Sequence, residues 1–375
     1  MSGQELENHR VTFECEVVSE SEVPSDSLVI TVNPFVPSRY DADSFSATGA
    51  FPTMTLIGLL GDEAFMDFET DRGEAIATVE QIWPAVRMLF QYYLHNNWSM
   101  FERTAKEKLD LAQVGSTAHQ RTTVAYQALG IATVSIVGRH GTRGAIIVHR
   151  FGRKHIAAVR LPPYFEGVRS RGELTAQLER DIFTSINDFV EHRETWEMGS
   201  LGRFIESETR PELEKLVLYR DEFPIVRDLY QQGFELACKC LWLLVAAQNT
   251  VKRGDPNAFG DDHPPTVPVK RRASSLAQYD KLPNALKVAY AAQVPGWDSL
   301  AILLNNRRRN TIGHATAHHD LRNGRIISDE DPLGITYLDF LGEVFGVFEA
   351  VTSLAQVLRA ARIAASPDFS LGQAN

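Results

Sequence analysis

The sequence predicts an α+β domain over residues 1-205 followed by an all-α four-helix bundle over residues 206-375. Three observations lead there. Short runs in the first half alternate apolar and polar residues with period two. The second half repeats its apolar residues at three and four. A polar, glycine-containing segment, residues 194–210, lies between the two patterns. At 375 residues the chain is also too long for one ordinary core, and roughly two to three domains is the prior.

The first 75 residues or so read as extended. Val11-Thr-Phe-Glu-Cys-Glu-Val-Val18 suits a half-buried strand, and residues 27–32 and 53–58 are similar, with Pro, Ser and Gly clusters between them. A helical stretch follows over residues 80–108, with Pro84 in its first turns and Val86, Leu89, Phe90 and Tyr93 on one face. Strand patterns return at 131–137 and 144–149, joined by the turn-rich Gly138-Arg-His-Gly-Thr-Arg-Gly144, and 154–161 makes a third strand of this meander. A helix over 173–192 closes the first half.

Beyond the boundary everything reads as helix. Residues 225–248 carry a wide apolar stripe through Val226, Leu229, Tyr230, Phe234, Ala237, Leu241 and Leu244. A proline-rich loop over 251–272 ends in Lys270-Arg-Arg272. Helix resumes over 274–292, kinked or started by Pro283, and again over 296–317 with Trp297, Leu300, Leu303 and Leu304 inward. After a turn at Arg322-Asn-Gly-Arg325 a long helix over 335–363 closes the bundle.

Composition narrows the function. Hydrophobic residues are 44% and charged residues 23%, a globular balance rather than a disordered one. The net charge of −10 argues against a protein that coats nucleic acid by bulk attraction, although a local basic patch on an acidic body is compatible. Three cysteines exclude a disulfide scaffold and fit a reducing compartment. The opening residues, MSGQELENHR, carry no secretory pattern, and the apolar run 236–247 is too short to span a bilayer and holds Lys239. The expectation is a cytoplasmic protein with no membrane contact.

The informative stretch is Asn305-Asn-Arg-Arg-Arg-Asn-Thr-Ile-Gly-His-Ala-Thr-Ala-His-His-Asp320. Between residues 299 and 325 there are five arginines against one acid, which inverts the global charge sign. On a helix, Arg309 and His314 are separated by about 140° and 7.5 Å, a span a long arginine can cover, and Asn310 shares a face with His314. An always-charged fork beside a group that titrates near neutrality suits phosphodiester chemistry. The arginine grips the phosphate and offsets developing charge, and the histidine moves a proton.

The run Arg309-Asn-Thr-Ile-Gly-His314 resembles the Arg-x4–6-His motif of HEPN domains. These are four-helix bundles with the motif near the end of the third helix. The resemblance covers residues 206–365, under half the chain. It implies a metal-independent endoribonuclease, with no cofactor, that works as a homodimer. The motif helices of two subunits face each other, and RNA is cut by attack of its own 2′-hydroxyl on the adjacent phosphate. Arg309, Asn310 and His314 then correspond to the catalytic group, with Arg307, Arg308 and His318 as substrate contacts. Arg307 and Arg308 also satisfy the spacing; Arg309 is preferred because Asn310 follows it. Relatives of this kind recur as toxins and in abortive-infection and antiphage systems, so the N-terminal domain is a candidate seat for a trigger or antitoxin partner. The family also holds non-catalytic bundles that bind nucleotides or proteins, which is the alternative reading.

Competing interpretations accompany each group. Arginines and histidines at a helix C-terminus also complement its dipole. His314 and His318, four apart, are a zinc-capable pair if they share a helical face, but no His-Glu-x-x-His pattern or third ligand accompanies them. Cys238-Lys-Cys240 has poor ligand spacing and reads as buried thiols. Lys270-Arg-Arg272 suits either a solvated loop or a phosphate contact. The glycine-rich 138–144 segment lacks Gly-Lys-Ser/Thr and reads as a turn, and Asp62, Glu63, Asp67 and Glu69 read as ordinary surface.

Overall fold

The computed structural model describes residues 52–111, 114–159, 162–205, 222–313, 317–320, 324–329 and 331–366. The expected strands at 11–18 and 27–32 therefore lie outside the described residues. All described residues belong to one unit, Phe35–Asn375.

The first half is helical wherever it is described. Helices α1 (Pro52–Leu60) and α2 (Asp62–Ala77) run through a π-helical turn (Thr78–Ile82) into α3 (Trp83–Leu94), followed by α4 (Trp98–Leu109). Asn97 caps α4 by accepting from the Met100 N–H. Next come α5 (Ala118–Val159), α6 (Pro162–Ser170), α7 (Gly172–Glu191), the single turn α8 (Arg193–Trp196) and a 3-10 segment (Glu197–Arg203). Four expected strands, 53–58, 131–137, 144–149 and 154–161, are thus corrected: the described residues of each are helical. The run Ile131-Ala-Thr-Val-Ser-Ile-Val137 is rich in β-branched residues, yet Ala125, Leu129, Ala132 and Ile136 are buried at helical spacing while Ile131 and Val134 face out. Packing one face of a helix overrides local β-propensity. The expected turn at 138–144 is corrected likewise: residues 139–144 are helical, and only Gly138, with φ 75°, breaks α5.

The second half follows the expected stretches but divides them. Residues 225–248 form α9 (Phe223–Cys240) and α10 (Trp242–Arg253). Residues 274–292 form α11 (Leu276–Asp280) and α12 (Asn284–Ala292), with Pro283 preceding the second helix rather than kinking one. Residues 296–317 form α13 (Asp298–Leu303) and α14 (Asn306–Gly313). A small antiparallel sheet then intervenes, β1 (His318–Asp320), β2 (Arg325–Ser328) and β3 (Asp331–Thr336), in that order. The sheet was not expected. Asn-Gly at 323–324 is a hairpin signal that, amid helical patterns, suits a turn between helices equally well. Gly334, at φ 55°, lets β3 pass close to β2, where a β-carbon would meet the Ile326 carbonyl.

The chain ends its described part in α15 (Tyr337–Ala364), capped by Thr336 accepting from the Asp339 N–H. The apolar stripe that its helical spacing predicts, Tyr337, Phe340, Leu341, Val344, Phe345, Phe348, Val351 and Leu358, is buried, but so are Leu338, Val347, Ala350, Leu354, Ala355 and Val357 on its other faces. The helix is long and apolar enough to cross a membrane by composition, yet 83% of its apolar window is buried inside the protein. It is a central core helix. Elements from both sides of the expected 205/206 boundary pack on it: Phe189 of α7 and Trp196 of α8 meet Phe348 at ring distances of 5.2 and 5.0 Å, and Phe223 and Tyr230 of α9 meet Phe340. The buried apolar residues on the two sides form one continuous core.

Two features tighten this core. The buried Glu179 carboxylate of α7 accepts from the Tyr93 and Tyr126 hydroxyls at 3.1 and 3.0 Å and from Arg362 of α15 at 3.1 Å. Burial and the adjacent carboxylate hold both phenols well above their ordinary pKa. The 3-10 segment crosses α15 backbone to backbone at Gly199, where a β-carbon would lie 2.0 Å from the Leu341 carbonyl oxygen.

Cys238 and Cys240 are both buried free thiols, and burial pushes Cys238 up to about 12 and Cys240 also upward. Native protein at pH 8 should therefore leave both unmodified by iodoacetamide, and denaturant should expose them. Mass-spectrometric detection of rapid native labelling at either position would contradict the packing of α9.

Candidate functional site

Helix α14 carries the arginine run, and its first turn is set by Asn305. The Asn305 side-chain oxygen accepts from the Arg308 N–H at 3.1 Å and its carbonyl accepts from the Arg309 N–H at 2.9 Å. Buried Ile312 anchors the helix, and Gln231 of α9 donates to the Ile312 carbonyl at 3.4 Å.

Successive residues on a helix point about 100° apart, so the three arginines face three directions. Arg307 is exposed. Arg308 turns toward α15, where its guanidinium donates to Glu343 at 3.2 Å and meets Asp331 of β3 at 3.5 Å. Tyr230 donates to the other oxygen of Glu343 at 3.2 Å. Burial raises the Glu343 pKa, against the lowering effects of Arg308 and the tyrosine hydroxyl. Arg309 turns toward α9, pairs with Glu235, and donates to Asn310 at 3.3 Å. The second Glu235 oxygen accepts from Asn284 at the start of α12 at 2.7 Å. The Arg309 side chain remains 34% exposed against 22% for Arg308.

The two arginines therefore differ chemically. Arg308 is clamped between two carboxylates and ties α14 to α15 and the sheet. Arg309 has one carboxylate partner, is more open, and stands beside the exposed amide of Asn310. His314 lies outside the described residues, as do 315 and 316. His318 is exposed at the start of β1, paired with Ile327. The zinc-capable pair required a shared helical face, and a strand residue does not supply one. Among the described residues no three His, Cys, Asp or Glu side chains gather around one point. His319, beside His318, stacks on the Tyr337 ring at 4.3 Å.

Sequence reasoning missed Glu235, Glu343 and Asp331, which hold the arginines, and the role of the Tyr230 hydroxyl, which orients Glu343. Glu343 left a trace: it is a lone acid inside the apolar run 340–348. A charge there needs a partner, and Arg308 is that partner.

No protein-family model matches this chain, and no characterised protein or solved structure is significantly similar to it.

Proposed function

We propose that this chain is a metal-independent endoribonuclease of the HEPN type, active as a homodimer in which two α14 helices face each other. Arg309 binds and polarises the scissile phosphate, His314 transfers the proton, and Asn310 orients the arginine. Arg307, Arg308 and His318 line the approach of the RNA, with Arg308 also fixing α14. The setting is the cytoplasm, and the biological class is a toxin, abortive-infection or antiphage effector restrained or triggered through its N-terminal part.

One observation carries this reading: a half-open guanidinium, oriented by Glu235 and Asn310, on the helix that leads directly to His314. A cation held by a single carboxylate is pre-organised yet keeps donors for a phosphate. Purified protein should cleave RNA with or without EDTA. Arg309→Ala and His314→Ala should each lower the rate by roughly 100-fold or more, the scale of losing a charge stabiliser or a proton-transfer group. Unchanged cleavage in both variants would sink the assignment.

A second reading is favoured by the pairing of Arg308 and Arg309 with carboxylates, which a structural role also explains. The chain is then a non-catalytic module that binds a nucleotide or a partner protein. A strict monomer at micromolar concentration, by light scattering, favours this reading over the dimeric nuclease.

A further inference from the structure

A second basic run lies outside α14. The segment Lys270-Arg-Arg-Ala-Ser-Ser275 joins the proline-rich loop to α11. Lys270 and Arg271 close a short 3-10 turn (Val269–Arg271), and Arg272 after it is extended, with φ −68° and ψ 128°. All three cations are exposed, and among the described residues none of them enters an ion pair. On a chain of net charge −10, three adjacent unpaired cations form a surface that an acidic partner can read.

The residues after the cations narrow the partner. Arg271 and Arg272 stand three and two positions before Ser274. Kinases select substrates by charge patterns, and two arginines at this spacing from a serine suit a cleft with acidic walls. Those walls hold the two guanidinia and so deliver the hydroxyl to the phosphoryl donor. An RNA contact needs the cations but no serine at a fixed distance, so the pattern favours a kinase over nucleic acid.

The fold distinguishes the two serines. Ser275 is half-buried and caps α11, its Oγ accepting from the Gln278 N–H at 3.3 Å. Ser274 is exposed, and its Oγ donates to the exposed side chain of Gln278 at 3.0 Å. The Ser274 hydroxyl is thus open to an enzyme, and that of Ser275 is engaged in the cap. One anchor holds the backbone between Ser274 and the arginines. Ala273 is 1% exposed, and its N–H donates to the Tyr290 hydroxyl at 3.0 Å. Only a methyl group and one hydrogen bond need release for the segment to lie extended in a cleft, a local opening rather than unfolding.

We infer that Ser274 is a phosphorylation site for an arginine-directed serine/threonine kinase that uses ATP. The bond from Ser274 Oγ to the γ-phosphorus forms as the bond from that phosphorus to the β–γ bridging oxygen breaks. ADP leaves, and the hydroxyl proton passes to the catalytic carboxylate of the kinase. The product places about 1.5 to 2 negative charges beside the three cations near pH 7, and its Oγ no longer donates to Gln278. The run changes from strongly cationic to nearly neutral. The inference does not rest on RNA cleavage and concerns a segment separate from α14.

The test incubates the full folded chain with magnesium, ATP and the catalytic subunit of cAMP-dependent protein kinase as the probe enzyme. Mass spectrometry should place one phosphate on Ser274. Ser274→Ala should abolish the incorporation, and Ser275→Ala should retain it. Arg271→Ala and Arg272→Ala should each lower kcat/KM for phosphorylation by about ten-fold or more, the scale of losing a charge-assisted contact, with circular dichroism unchanged. Chain isolated from its own cells under phosphatase inhibition should carry phosphate at Ser274 in part of its molecules. No incorporation into the folded chain, phosphate at Ser275 in place of Ser274, arginine variants as fast as the parent, or unmodified Ser274 throughout the native material would overturn the inference.

Discussion

Gly199→Ala should cost the folded state at least about 3 kcal/mol, toward the severe end for a single overpacking substitution. The added carbon would lie 2.0 Å from the Leu341 carbonyl oxygen and 2.4 Å from its carbon. Both are backbone atoms in the second turn of α15, so no rotamer change relieves the clash. The 3-10 segment would have to lift away, and with it Trp196, whose ring meets Phe345 and Phe348. Gly342→Ala is the matched control on the opposite helix, because its nearest contact, the Gly199 carbonyl oxygen, is at an ordinary 3.6 Å. Urea unfolding should show a large loss in the first variant and under about 1 kcal/mol in the second. Equal midpoints for the two would refute the backbone crossing.

Arg362→Met is the second large effect. It leaves the Glu179 carboxylate, 4% exposed, with two tyrosine hydroxyls and no cation. Stranding a buried charge in this way costs about 3–5 kcal/mol. Adding Glu179→Gln to the same chain removes the charge and still allows both hydroxyls to donate to the amide oxygen. The double variant should thus be more stable than Arg362→Met alone. A double-mutant cycle by urea unfolding measures the coupling. Additive losses would mean that the pair contributes no interaction of its own.

How much of this was legible in the sequence depends on which face of each element is buried. Helices with a single apolar stripe, such as α3, α7 and α9, appear where their spacing predicts them. The segment 131–137 failed because a β-branched run looks the same whether it lies on a strand or on one side of a packed helix, and only Ala125, Leu129 and Ala132 before it reveal the helical repeat. The sheet failed because its strands are three to six residues long, too short for alternation to show. At the candidate site the arginines and Asn310 were legible as a charge inversion. Their partners were not, since Glu235 and Glu343 come from helices distant in sequence, and pairing across a fold leaves no local pattern.

The position of α15 in chain order has a consequence for biosynthesis. Every other described helix is made before α15, which α5, α7 and α9 among them cover. A nascent chain that has reached residue 330 already carries Phe189, Trp196, Phe223 and Tyr230, and the faces they present to Phe340, Phe345 and Phe348 stay vacant until translation passes those residues. Such uncovered aromatic surface is what chaperones hold and what aggregates when they are scarce. Yield in cells should therefore respond to chaperone supply and to translation speed through 337–364, more than to any substitution on the solvent-facing helices.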